Sequence, residues 1–66
     1  MRVYTVKHCE PHVCHLTVWA GTSRNDAMEY AMAYVSDHDS VCHKANVMSW
    51  YGGEASIIAE INREEV

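Results

Sequence analysis

Sixty-six residues read as a single domain, 1–66, and a chain of this length buries only about 60% of the surface its unfolded form exposes, so the core is thin. Nine Asp and Glu against five Lys and Arg leave a formal charge of −4, which argues against a dedicated nucleic-acid binder, because neutralised phosphates supply most of such a protein's affinity. Hydrophobic residues make up 48% of the chain, yet no apolar run approaches the ~20 residues that span a bilayer.

The N-terminal stretch "MRVYTVKHC" has no continuous apolar segment of the kind that marks a secretory signal. Three cysteines are an odd number, which fits a disulfide framework badly and a reducing compartment well. Free thiols and a cytoplasmic location are the expectation.

Residues 2–9 alternate with β-branched and aromatic content, and "VCHLTVWA", residues 13–20, does the same after the Glu10-Pro11 interruption. This predicts a β-hairpin. With the turn centred on Pro11, His8 falls opposite Cys14, Val6 opposite Leu16 and Tyr4 opposite Val18, on a face apolar enough to be core.

The turn itself, "HCEPHVCH", packs cysteine and histidine densely enough to raise a zinc site built from Cys9, His12, Cys14 and His15, with Cys42 or His43 approaching from a distant loop. The spacing matches no familiar zinc motif, and the register above spreads these ligands over both faces of a strand. Cys14 reads equally as a small buried hydrophobe. The expectation is therefore a hairpin without metal, with zinc as the alternative.

"GTSRNDAMEYAMAYVSD" changes period. Ser23 with Asp26 three residues on has the form of a capping box, and Ala27, Ala31, Tyr34 and Val35 recur at helical spacing, predicting a helix from about Arg24 to Asp37. Met28 and Met32 fall on a flank, where methionine serves packing or adaptable recognition. "DHDSVCH" gathers Asp37, His38, Asp39, Cys42 and His43 after the helix. A Cys-His nucleophile needs a stabilised thiolate and a pocket; adjacent residues seldom aim at each other, so a polar loop is the better reading and no enzymatic activity is expected. There is also no P-loop, Rossmann glycine pattern or nucleophile elbow.

"ANVMSWYGGEASIIAEI" reads as two strands joined by Gly52-Gly53, a pair suited to a tight primed turn. That turn sets Trp50 opposite Ala55 and Met48 opposite Ile57, with Ala59 and Ile61 continuing the same, helix-covered face. The fold class is α+β with ββαββ order: a four-stranded antiparallel sheet with one helix packed on one face.

One helix cannot cover both faces of four strands. The uncovered face is expected to carry Val3, Thr5, Lys7, Val47, Ser49 and Ser56 around a partner-binding set of Trp19, Tyr51, Thr17, His15, Ile58 and Glu60. Glu54, with Glu64 and Glu65, adds an acidic rim. Contiguous exposed apolar surface with large aromatics marks interaction sites. An unpaired edge or this same face also allows a homodimer in place of a monomer.

The compact acidic chain, with a hairpin, "AGTSRNDAMEYAMAYV" and a second hairpin, resembles the small phage-encoded inhibitors of bacterial defence, anti-CRISPR proteins among them. It is also similar to HicB-like antitoxin domains, in which a hairpin leads into an alanine-rich helix. The first resemblance implies a protein partner, a nucleic-acid-guided complex in the host bacterial cytoplasm, inhibited by surface occupation without chemistry.

Overall fold

The structure, a computed structural model, describes residues 1–11, 13–38 and 40–62, with no description of the His15 side chain. It is α+β, with one helix and an antiparallel sheet. In chain order the elements are β1 (Val3–Glu10), β2 (Val13–Gly21), α1 (Arg24–Asp37), β3 (Lys44–Tyr51) and β4 (Glu54–Asn62). The sheet order is β2-β1-β3-β4, so β1 and β3 form the centre although the helix separates them in sequence.

Helix α1 starts where Ser23 leaves helical geometry (φ −102°, ψ 117°) and its Oγ accepts the Asp26 N–H at 3.2 Å, satisfying one of the donors a helix start leaves open. No Gly or Pro interrupts residues 24–37. At the far end the His38 N–H donates to the Tyr34 carbonyl at 2.9 Å, and His38 Nδ1 donates to the same oxygen at 3.0 Å. The His38 carbonyl in turn accepts from Val41 N–H and Cys42 N–H, which turns the chain back towards β3.

Ala27, Ala31 and Val35, four residues apart, form the buried helix stripe. They meet Val6, Ala45, Val47 and Cys42, all fully buried. The core contains nothing larger than valine among its fully buried side chains. Small residues on both sides let the helix lie close to β1 and β3, and they leave the hydrophobic stabilisation modest, at about 0.8 kcal/mol per buried methylene.

Two corrections to the sequence reading follow from strand pairing. In the second hairpin the expected register holds near the turn, with Trp50 opposite Ala55 and Met48 opposite Ile57, and Gly52 (φ 61°) and Gly53 (φ 85°) adopt the left-handed conformation the turn requires. The face assignment does not hold. Val6 lies opposite Val47 and His8 opposite Ala45, so Ala45, Val47 and Ser49 share the helix side and Met48 and Trp50 take the other. A bulge at Ile58 shifts the pairing to Val47–Ala59, which is how Ala59 and Ile61 return to the helix side while Ile57 stays away from it.

In the first hairpin the observed pairs are Val6–Trp19, Lys7–Thr17, His8–Leu16 and Glu10–Val13. The pairing starts one residue away from the expected register, with Glu10 opposite Val13, and two irregularities, one at Cys14 and His15 and one at Val18, displace it by one residue each; the net shift of three puts Trp19 opposite Val6, on the helix side. The second irregularity also overturns the free-thiol reading. It sets Cys14 beside Cys9, with Cα atoms 4.2 Å apart, and the two form a disulfide. An odd cysteine count does not forbid a local bridge across a short turn; the third cysteine, Cys42, is buried and donates its S–H to the Lys44 carbonyl at 3.2 Å.

Candidate protein-interaction face

The sheet face opposite α1 is built by alternation from the pairings above. β1 contributes Val3, Thr5 and Lys7; β3 contributes Lys44, Asn46, Met48 and Trp50; β4 contributes Ala55, Ile57 and Glu60; β2 contributes Thr17 and Ala20. Trp50 is 37% exposed and Ile57 52% exposed. The Trp50 Nε1–H donates to Thr5 Oγ1 at 2.8 Å, so the indole has its only donor satisfied inside the protein and presents an oriented apolar ring. Val3 lies opposite Trp50, and Thr5 opposite Met48. One end of the face is ionic, where Lys44 Nζ and Glu60 Oε1 stand 3.1 Å apart. Between the two ends, Asn46 is buried and its Oδ1 accepts no hydrogen bond among the described residues.

The expected partner-binding set divides between the two faces. Thr17 and Glu60 are on the open face, and both are exposed. Trp19 is not: it is half-buried against the core and stacks on Tyr30 with ring centroids 6.2 Å apart. Gly21, two residues further along the same side of β2, is where a Cβ would meet Trp19 Cη2 at 2.6 Å. Tyr51 and Glu54 face each other beside the β3–β4 turn on the helix side, and Ile58, at the bulge, packs against the core. His15 lies in β2, and nothing further is described of it. Glu64 and Glu65 lie outside the described residues.

The chain matches no family model, no curated protein and no solved structure.

What the sequence reading missed on this face is Trp50, Met48 and Ile57. Their signal lay in Ala45 and Val47, two small apolar residues at strand spacing that suit the gap beneath an alanine-rich helix better than Met48 and Trp50 do. Without the β1–β3 pairing, nothing chose between these two sets.

Trp19 opens a file of rings along the helix flank. Tyr30 and Tyr34 stack at 5.9 Å, and Tyr34 and His38 at 4.1 Å, a consequence of i, i+4 spacing on a helix. Tyr34 Oη is 2.9 Å from His8 Nδ1, tying α1 to β1. Burial holds the Tyr34 phenol above its ordinary pKa, with Cys42 and Tyr30 adding to the rise.

The other residues with chemical potential are occupied structurally. Cys9 and Cys14 are joined to each other, so neither is a thiolate ligand, and His12 lies outside the described residues; the candidate zinc set is not assembled. In the post-helix cluster, His38 caps α1, the His43 N–H donates to the Cys9 carbonyl at 2.7 Å and Cys42 is buried. Asp39 lies outside the described residues. No group of three or more His, Cys, Asp or Glu positioned to hold a metal occurs among the described residues. No helix among them is long and apolar enough to cross a membrane.

Proposed function

We propose that the protein is a non-enzymatic, protein-binding inhibitor, encoded by a phage or mobile element, that blocks a nucleic-acid-guided bacterial defence complex of the anti-CRISPR-targeted kind by occupying its surface. The open sheet face is the docking surface. The observation behind this reading is Trp50: exposed, fixed by its bond to Thr5, and flanked by Val3, Met48 and Ile57. An immobilised aromatic among aliphatic residues is the composition of an interface centre, because little side-chain entropy remains to be lost on binding.

The charge supports the choice of partner. Guided complexes hold their nucleic acid in positively charged channels, and a chain of net charge −4 is attracted to such surfaces and suited to competing there. The role places the protein in the host bacterial cytoplasm, a reducing compartment, so the fully buried Cys9 end of the Cys9–Cys14 bridge must be protected from reduction or dispensable for binding.

The test is binding of purified protein to guide-loaded defence complexes by biolayer interferometry. Trp50→Ala is expected to weaken binding by ten-fold or more, on the order of the 2 kcal/mol or above that an interface hot spot contributes. Trp19→Phe, changed on the helix side, is expected to bind as the native chain does. Equal loss in both variants, or full binding by Trp50→Ala, counts against the open face.

A further inference from the structure

On the opposite side of the sheet from Trp50, beyond the core and beside the β3–β4 turn, a half-open cavity of about 230 Å³ is lined by Arg2, Ser49, Tyr51, Glu54, Ser56 and Ile58. Helix α1 contributes nothing to its lining. We propose that this cavity is a receptor for an arginine side chain presented by a basic protein segment; in the isolated chain its own Arg2 forms one wall and covers the Tyr51 ring.

The contact between Arg2 and Tyr51 points to the chemistry of the site. Arg2 Cζ lies 5.1 Å from the centroid of the Tyr51 ring, inside the roughly 6 Å over which a guanidinium is attracted to an aromatic face. The cavity is also lined by three residues that carry acceptor groups, Glu54, Ser49 and Ser56, none of them engaged by Arg2 itself. A guanidinium offers five N–H donors in a planar fork and no acceptor, so a tyrosine face with a carboxylate and two hydroxyls complements it in shape and in polarity. Ile58 supplies an apolar wall for the side-chain stem. Ser49 is only 7% exposed, whereas Tyr51 is 60% exposed; the cavity therefore has a buried polar floor and an accessible aromatic wall.

Size narrows the ligand. Small-molecule and cofactor pockets enclose about 300–1,000 Å³, and this cavity falls below that range, which suits one side chain. Arg2 is also weakly tethered over the Tyr51 ring. It precedes β1, which begins at Val3, and Met1 before it is 96% exposed, so no strand pairing has to break when Arg2 swings out. As an intramolecular competitor it acts at a high effective concentration, and an incoming arginine must displace it. The net charge of −4 favours approach by a basic segment. This inference stands independently of the Trp50 face, since the two surfaces lie on opposite sides of the sheet.

The experiment is an NMR amide-shift titration of the full chain with the capped peptide Ac-Gly-Arg-Gly-NH2 and with its lysine counterpart. The native chain and Arg2→Ala are compared. Shifts confined to Ser49, Tyr51, Glu54 and Ser56, with several-fold tighter binding in Arg2→Ala and weaker binding of the lysine peptide, are expected. Tyr51→Leu in the Arg2→Ala background should lower affinity roughly two- to fivefold, the worth of an exposed cation–π contact, and Glu54→Gln should lower it as well. Trp50→Ala should leave the titration unchanged, which separates failure of this site from failure of the open face. Shifts scattered over the surface, equal affinity with and without Arg2, or indifference to both Tyr51 and Glu54 would overturn the proposal.

Discussion

Tyr34 shows how much a single side chain does in a core without large residues. Its ring stacks between Tyr30 and His38, its hydroxyl meets His8, and its carbonyl takes both the backbone and the ring N–H of His38. Tyr34→Phe keeps the stacking and deletes the hydrogen bond, for an expected loss of about 1 kcal/mol, measurable by urea denaturation. The phenol pKa is raised in the folded state, so the folded chain holds this proton more tightly than the unfolded one. Its contribution is fully present below the ordinary tyrosine pKa of about 10 and is lost as pH rises through the folded value. The native chain should therefore lose stability above about pH 10 more steeply than Tyr34→Phe; parallel alkaline profiles would remove Tyr34 as the cause. Gly21 is the other residue under tight geometric demand. Gly21→Ala drives a methyl group into a Trp19 ring already stacked on Tyr30, and a melt should show a loss of about 1–3 kcal/mol, the usual cost of overpacking.

Secondary structure was legible where local chemistry decides it. The helix spans the expected Arg24–Asp37 because the Ser23 side chain caps it and its alanines favour it, and the Gly52-Gly53 turn sets the near-turn register of its hairpin. Bulges were not legible. Each inserts one residue opposite a partner strand, at Val18, at Cys14 and His15, and at Ile58, and no composition rule marks these positions. Their effect is large because alternation has period two, so one added residue reverses every side chain beyond it. In β2 two such residues cancel each other's effect on face, so Trp19 lies on the helix side because the whole hairpin pairs three residues out of the expected register, opposite Val6 and not Val3, and the open face carries Trp50 because β3 pairs with β1 through Val3 and Trp50. The bulge at Cys14 also has an energetic consequence. The Cys9–Cys14 bridge spans a sequence separation of 5, and closing so short a loop stabilises by about 2 kcal/mol in the chain-entropy picture. Cys14→Ser should therefore lower the melting temperature by about 10 °C for a domain this small, and reductant should lower that of the native chain equally. A reductant-insensitive melt that matches Cys14→Ser would show the bridge contributes nothing.

At the scale of the molecule, the Cα radius of gyration is 11.1 Å, close to the ~10.8 Å of a compact domain of this length. The chain thus closes on itself with a core of valine, alanine and cysteine, and its large aromatic and aliphatic side chains are pushed outward. Trp50 and Ile57 are exposed because alternation sets them on the face away from α1, and Tyr51 because it lies at the turn end of β3. Two surfaces thus lie on opposite sides of one sheet: an apolar face that carries Trp50 and a cavity beside Tyr51. The candidate site was legible in part from sequence, as a tryptophan-bearing open face; which tryptophan it is depended on how β1 met β3 across the 33 residues, 11–43, that separate them.

The most direct test of the account is inhibition of target cleavage by a panel of guide-loaded defence complexes, measured with the native chain, Trp50→Ala and Trp19→Phe side by side, with melting curves for all three. The native chain is expected to inhibit at least one complex, Trp50→Ala to lose ten-fold or more of that inhibition, on the order of a hot-spot contribution, while still melting cooperatively well above the assay temperature, and Trp19→Phe to inhibit normally. Inhibition by Trp50→Ala at the native level, or no inhibition of any complex by the native chain, would contradict the account.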